Sequence, residues 1–125
     1  MIQATTPAEG RLIVLVGAAA RGPKRDGLFA LWLILRAAEG LLPPGAVSPR
    51  NHRRRLQALE SRLASLALPA PLRRALTAAR QHLEPASPAA AALVLSQLVA
   101  PAREVLGPEA GDAIAVAARS ARIHL

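Results

Sequence analysis

The chain contains no cysteine and no tyrosine, and it has one phenylalanine and one tryptophan in 125 residues. The absence of cysteine excludes disulfide bonds, thiolate nucleophiles and cysteine-ligated zinc. Because aromatic residues are so scarce, Leu, Ala and Val must supply nearly all of the packing. A smooth aliphatic core of this kind is typical of helices packed on helices.

Sequence motifs of catalysis are also missing. The chain has no Gly-x-Ser-x-Gly elbow, no Walker loop and no Gly-x-Gly-x-x-Gly turn, and its three histidines lie in different segments without a His-x-x-x-His pair. The acids nearest in sequence are Glu104, Glu109 and Asp112, which flank a predicted helix start, where negative charge suits the helix dipole. We therefore expect a protein that is not an enzyme and that has no catalytic residues, no metal site and no cofactor.

Signals for export or membrane insertion are weak. The first ten residues lack the positively charged start and apolar region of a signal peptide. Two apolar runs, at residues 12–20 and 28–35, are each far shorter than the roughly 20 residues that a spanning helix needs. Charged residues separate the runs, so we expect no transmembrane segment and a cytoplasmic protein.

The length and the proline pattern predict a single all-α domain over residues 1–125, with loosely ordered residues 1–5. A chain of this size can bury one core but not two. Apart from Gly22-Pro23, which we assign to a turn at residues 22–27, a Ser, Thr or Gly precedes a proline at four points, and this pair suits the N-cap and first position of a helix. After the first pair, Glu9 has the spacing of a capping box. The pattern predicts a compact bundle of five or six helices whose starts are Thr6-Pro7, Ser48-Pro49, Ser87-Pro88 and Gly107-Pro108.

The secondary structure of the first segment is less certain from the sequence than that of the second. Residues 12–16 form a β-branched run that fits a helix after the Thr6 cap or a buried strand, and we favour the helix. A second helix is predicted over residues 27–42, with Asp26 as its cap and Pro43-Pro44-Gly45 ending it. It is apolar on nearly every side, so it should be the central helix. The other interpretation is a partner interface that includes Phe29 and Trp32.

The later segments are predicted from leucine and alanine spacing. A third helix over residues 49–66 carries a leucine stripe with His52 on it, and a fourth ends near residue 83. A fifth begins at Pro88, and Pro101 should kink or split it. A sixth begins at Pro108. Its small apolar face allows close packing inside the domain or against another copy, which makes three residues candidates for a partner interface: Ala110, Ile114 and Ala117.

Positive charge is concentrated in one third of the chain. The formal net charge is +8, and residues 50–82 hold eight arginines and one acid. Guanidinium groups fit phosphate oxygens well, and cations in the first turns of a helix oppose its dipole, which suggests a functional reason for their position. The candidate nucleic-acid-binding residues are Arg50, Arg53, Arg54, Arg55, Arg73 and Arg74. Lys24 and Arg25 extend this set if the turn predicted at residues 22–27 lies beside the third helix.

The sequence therefore favours non-enzymatic binding of a polyanion, most simply the phosphate backbone of DNA or RNA, within an oligomer or a larger complex. Aromatic platforms for base stacking are missing, so contacts with the backbone should dominate. Two other interpretations stay open. The arginines can be the solvated face of an arginine-rich protein, or the protein can be a helical adaptor that binds a protein partner through its hydrophobic second helix.

Overall fold

A computed structural model describes residues 6–125, and the prediction for residues 1–5 lies outside this range. The described chain forms six helices and no strand, which confirms the all-α bundle. The helices are α1 (Pro7–Ala18), α2 (Pro23–Glu39), α3 (Pro49–Ser65), α4 (Ala70–His82), α5 (Pro88–Leu106) and α6 (Pro108–Arg122).

The second helix is the centre of the bundle, as its composition predicts. Within residues 6–125, α2 contacts all five other helices, whereas α3 contacts only α2 and α4. Leu31, Ile34 and Leu35 of α2 are completely buried. Burying apolar surface contributes roughly 25 cal/mol per Å², so a helix covered on this many sides contributes strongly to the core. α3 is an outer helix attached along one stripe.

The β-branched run at residues 12–16 is helical. Thr6 caps α1 by accepting a hydrogen bond from the Glu9 backbone N–H at 3.2 Å. The Glu9 carboxylate, instead of completing the capping box, accepts from Trp32 Nε1 at 3.3 Å. Leu12 is buried, whereas Ile13 is 46% exposed. A run that buries only one side of each helical turn needs no sheet partner, which explains why the strand is not formed.

The start of α2 corrects the prediction. The helix begins at Pro23 after Gly22, whose φ of 144° favours glycine, so residues 23–26 are its first turn and not a loop. Gly22-Pro23 is thus a further example of the predicted start signal. Asp26 does not cap the helix. Its carboxylate accepts a hydrogen bond from the Ala67 backbone N–H at 3.1 Å and ties α2 to the chain that follows α3.

A half-buried carboxylate, that of Glu39, joins the N-terminus of α1 to the C-terminus of α2. Thr6 Oγ1 donates to Glu39 Oε1 at 2.8 Å. Burial raises the pKa of Glu39 above its ordinary value, and the negative charge of Glu9 raises it further, while the hydrogen bond from Thr6 works in the opposite direction. Ionised Glu39 is therefore held at a cost to the folded state.

We predicted that Pro101 kinks or splits the fifth helix, and of these two the split does not occur, because α5 runs continuously through Pro101. A proline inside a helix costs about 3 kcal/mol because it removes a hydrogen bond and crowds the preceding turn. Burial of Leu98, Ala102 and Leu106 around it offsets that cost. With a mean hydropathy of 1.4, α5 is long and apolar enough to cross a membrane, but a core helix passes the same test. In this fold, α5 packs against α2, α4 and α6.

The last two helices form a tightly packed hairpin. An added Cβ on Gly111 would lie 2.7 Å from Cβ of Arg103 and 3.1 Å from its Cα, so the backbones meet closely there. The apolar face of α6 is buried by this contact and by α1, with Ala110, Ile114 and Ala117 at most 1% exposed. Of the two roles predicted for this face, packing inside the domain is the one that the structure contains. These three residues are not accessible to a partner in this fold.

Candidate polyanion-binding surface

The outer helix α3 is anchored by a narrow stripe that leaves most of its circumference exposed. Leu56, Leu59 and Leu63 are buried together with His52, which confirms the predicted stripe. His52 lies 2.6 Å from the Leu83 carbonyl oxygen through Nε2 and is 1% exposed. The contact requires the tautomer in which Nε2 carries the proton and donates it. His52 therefore fastens the N-terminal half of α3 to the end of α4.

Three predicted arginines lie on the free side of α3. Arg50, Arg53 and Arg54 are exposed, and within residues 6–125 none of them forms an ion pair or a side-chain hydrogen bond. At 100° per residue, Arg50 and Arg54 point directly away from the buried stripe, and Arg53 points toward the α4 side. We call these three residues the α3 arginine surface.

The one acid on α3 does not neutralise this surface. Glu60 lies 3.1 Å from Arg80 Nη2, and the same guanidinium lies 3.1 Å from Glu84 through Nη1. Arg80 is largely buried, with 18% of its side chain exposed, so it joins α3 to α4 and does not belong to the exposed positive patch. The Glu60 charge is therefore already paired with a cation of α4.

The two arginines predicted on α4 have different surroundings. Arg73 donates hydrogen bonds to the carbonyl oxygens of Leu63 at 3.1 Å and Leu66 at 2.6 Å, which satisfies the C-terminal end of α3. Its donors are therefore engaged in a structural contact. Arg74, the next residue, is exposed and makes no such contact. Of the two, Arg74 is the residue that remains open to a ligand.

The N-terminus of α2 lies beside the far end of α3. Asp26 contacts Ala67, just past α3, whereas Arg50 is in the first turn of α3, and a helix of 17 residues is about 25 Å long. Lys24 lines a cavity of about 560 Å³ between α1, α2 and the α5–α6 turn. Arg25 lines a pocket together with Val16 and Phe29, between the end of α1 and the start of α2. Neither residue therefore extends the α3 arginine surface directly.

A second basic site, which sequence reasoning missed, lies between α2 and α3. A shallow groove of about 200 Å³ has an aliphatic floor and three guanidinium groups around it. We call it the α2–α3 groove, and its lining residues are Leu33, Arg36, Ala37, Arg55, Ala58, Leu59 and Arg62. Arg55, one of the predicted nucleic-acid-binding residues, lies at this groove and not on the α3 arginine surface.

Aromatic rings hold two of these guanidinium groups in place. The carbon of the Arg36 guanidinium lies 5.2 Å from the ring centroid of Trp32, and that of Arg62 lies 5.5 Å from the centroid of Phe29. The two rings are themselves 5.7 Å apart. Stacking of this kind is worth about 0.5–1 kcal/mol at exposed sites, so it restricts the arginines without removing them from solvent. The i,i+4 spacing of Trp32 and Arg36 was the available sequence signal.

No cluster in the described part of the chain resembles a metal centre. Among residues 6–125, no group of three or more His, Asp or Glu side chains is placed to hold an ion. His82 Nδ1 lies 3.1 Å from Gln97 Oε1, and no group of acids of this kind accompanies the pair among residues 6–125. Among residues 6–125, the fold therefore brings together no such group that would favour an enzyme. The prediction of a non-enzyme stays a prediction.

Comparison of the chain with protein-family models, with curated proteins and with solved structures finds no match.

Proposed function

We propose that this protein binds the phosphate backbone of a nucleic acid through the α3 arginine surface, without catalysis and as part of an oligomer or a larger complex. One observation carries the proposal. Arg50, Arg53 and Arg54 are exposed, lack ion-pair partners among residues 6–125, and occupy the first turns of the outermost helix. Arg74 on α4 adds a further exposed guanidinium in the same basic third of the chain.

The placement of these arginines opposes local stability. Unpaired N–H groups give a helix N-terminus a partial positive charge, and each added cation there costs about 0.3–1 kcal/mol at low ionic strength. The first turn of α3 contains no acid. A ligand with closely spaced negative charges removes that repulsion on binding, and double-stranded DNA carries one charge per about 1.7 Å of its axis. The arginines therefore destabilise α3 in the free protein, and this cost is relieved when a phosphate backbone binds.

Backbone contacts fit this surface better than base contacts. The only two aromatic rings of the chain, Phe29 and Trp32, lie at the α2 side of α3, whereas Arg50 and Arg54 point away from the core. Bases therefore find no stacking platform beside the free side of α3. We expect binding that is weakly selective for sequence and strongly dependent on salt.

The test is a titration of labelled single-stranded and double-stranded DNA and RNA at about 50 and 200 mM salt. The variant Arg50→Gln, Arg53→Gln, Arg54→Gln is compared with Arg11→Gln, Arg119→Gln, Arg122→Gln, which removes the same charge from exposed positions elsewhere. Each lost phosphate contact should lower the slope of log K against log salt by roughly 0.7–0.9. We expect the α3 variant to lose roughly 2 to 3 units of slope and the matched variant to lose much less.

Two results would contradict the proposal. Wild-type protein that binds none of the four nucleic acids at low salt has no phosphate-binding surface. Equal losses in the two triple variants would show that binding follows net charge alone, and α3 would then be a solvated helix face. Far-ultraviolet circular dichroism of each variant verifies that the helices are intact.

A further inference from the structure

The α2–α3 groove differs from the α3 arginine surface in having an apolar floor. Leu59 and Ala37 are each 4% exposed and close the groove from below, while Leu33 is half-buried beside them. Arg36, Arg55 and Arg62 surround this floor. A phosphate backbone has no aliphatic group to place there, so the groove has a surface that the proposed nucleic-acid binding does not use.

The guanidinium groups at the groove are weakly neutralised by the chain itself. Within residues 6–125, the one ion pair that these three arginines form joins Arg36 Nε to Glu9 Oε1 at 3.9 Å. Within residues 6–125, Arg55 and Arg62 form no ion pair. Two cations of α3 therefore face the groove with donors available, and Arg62 is already positioned by its contact with Phe29.

The size of the groove limits what it can hold. Pockets that bury most of a drug-sized molecule have volumes of about 300–1,000 Å³, and this groove has about 200 Å³. It therefore suits a single protruding apolar side chain. We call the arginines around the floor the rim of the groove. A ligand that has an aliphatic side chain with negative charges on both sides of it complements both the floor and the rim. An amphipathic helix supplies this pattern with a leucine at position i and carboxylates three or four residues away.

We propose that the α2–α3 groove binds an acidic amphipathic helix of a partner protein. A leucine of that helix enters between Leu33 and Leu59, and its flanking carboxylates receive hydrogen bonds from Arg55 and Arg62. A second copy of this chain is a poorer occupant, because the net charge of +8 opposes self-association. The partner in a larger complex is thus an acidic protein.

The chain offers a built-in reporter for this site. Trp32 is its single tryptophan, and Arg36 stacks on it at the edge of the groove. The probe is a short synthetic helix with leucines on one face and glutamates beside them. One matched peptide has lysine in place of every glutamate, and another has alanine in place of every leucine. We expect only the first peptide to shift Trp32 emission and to bind in an anisotropy titration at low salt.

Two variants separate the floor from the rim. Ala58→Phe fills the groove without changing charge, and Ala64→Phe makes the same change on an exposed position of α3 that does not line the groove. Arg55→Gln, Arg62→Gln removes the rim and is matched by Arg53→Gln, Arg74→Gln. We expect about tenfold weaker peptide binding for Ala58→Phe and for the rim variant, and little change for their controls.

The outcomes distinguish this inference from the proposed function. Failure of the acidic peptide to bind, or binding that Ala58→Phe leaves unchanged, overturns the inference while nucleic-acid binding by α3 stands. Displacement of the peptide by single-stranded RNA or by anionic phospholipid vesicles, with the same sensitivity to Ala58→Phe, assigns the groove to a base or a lipid and overturns it as well. Peptide binding that survives in the Arg50, Arg53, Arg54 triple variant shows that the two sites are separate.

Discussion

α3 and α6 are amphipathic helices of similar length that use their charges in opposite ways. In α6, Glu109 is in the first turn and Arg119 and Arg122 are in the last, so each charge suits the helix dipole. In α3, the first turn contains no acid, and Arg50, Arg53 and their neighbours occupy the positive end. The terminal charges of α6 stabilise the helix on which they lie, whereas Arg50 in the first turn of α3 does not, although Arg62 in the last turn does.

The buried faces of the two helices differ as well. α6 packs its alanines and Ile114 against α5 and α1, and Gly111 lets the backbones approach closely. α3 reaches the bundle through a few leucines and His52, and it contacts only two helices within residues 6–125. The sequence of α6 is accounted for by its packing and its end charges, whereas the arginines on the exposed side of α3 require another explanation.

The largest expected effect lies on the buried face of α6. Ile114→Ala should lower the free energy of unfolding by about 2–5 kcal/mol, because Ile114 is completely buried and its loss leaves a cavity. Urea denaturation followed by Trp32 fluorescence measures the change. The same substitution at Ile123, which is 80% exposed, is the control and should be nearly neutral.

A substitution on the exposed side of α3 should have a much smaller effect than Ile114→Ala. We expect Arg54→Ala to change the free energy of unfolding by no more than about 0.5 kcal/mol. If Arg54→Ala destabilises as strongly as Ile114→Ala, the two helices do not differ in the way described, and the α3 arginines have a structural role.

Much of the fold follows from local signals in the sequence. The Ser48, Ser87 and Gly107 starts each precede a helix that begins at the next proline, and the side-chain oxygens of Ser48 and Ser87 accept the expected N–H groups. These signals act within one turn, so they can be read without knowing the neighbours. Gly22 was harder to recognise, because glycines and charges beside a proline also predict a turn.

The groove could not be predicted in the same way. Arg36 and Arg62 are 26 positions apart, and they come together because α2 and α3 pack antiparallel, with Arg62 beside Phe29 and Arg55 beside Gly40. Periodicity shows which face of a helix is buried, but it does not show which helix covers the neighbouring face. The same limit applies to Arg73. Periodicity predicts that it is exposed, but it does not reveal that Arg73 donates hydrogen bonds to the end of α3.

Reversing one charge at the N-terminus of α3 and one at the C-terminus of α6 should change the free energy of unfolding by an intermediate amount. Arg50→Glu should stabilise the protein by about 0.3–1 kcal/mol at low salt, because an acid then lies at the positive end of α3. Arg119→Glu should destabilise it by a similar amount, about 0.3–1 kcal/mol, because it removes a favourable cation from the last turn of α6. Urea denaturation at low and high salt measures both changes.

The signs of these two shifts decide the interpretation. If Arg50→Glu stabilises the fold and weakens nucleic-acid binding, the arginine serves binding at the expense of stability. If it destabilises the fold, the arginines of α3 are not costly, and the contrast with α6 loses its electrostatic basis. Both effects should shrink at high salt, since exposed charges are screened.

The smallest expected effect concerns Glu39, another charge held against stability, here by burial. The raised pKa means that protonated Glu39 is favoured in the folded protein. The stabilisation of the folded state by protonated Glu39 is fully present below the pKa of the unfolded chain, about 4.5. It is lost as the pH rises through the pKa of the folded protein. At neutral pH, Glu39→Gln should therefore be more stable than the wild type, because the amide oxygen still accepts from Thr6 while the half-buried charge is gone. That advantage should decrease as the pH falls toward 4.5, and urea denaturation of both proteins at several pH values measures it. An advantage of Glu39→Gln that is independent of pH would mean that the variant acts through packing, and that the carboxylate of Glu39 is not the source of the cost.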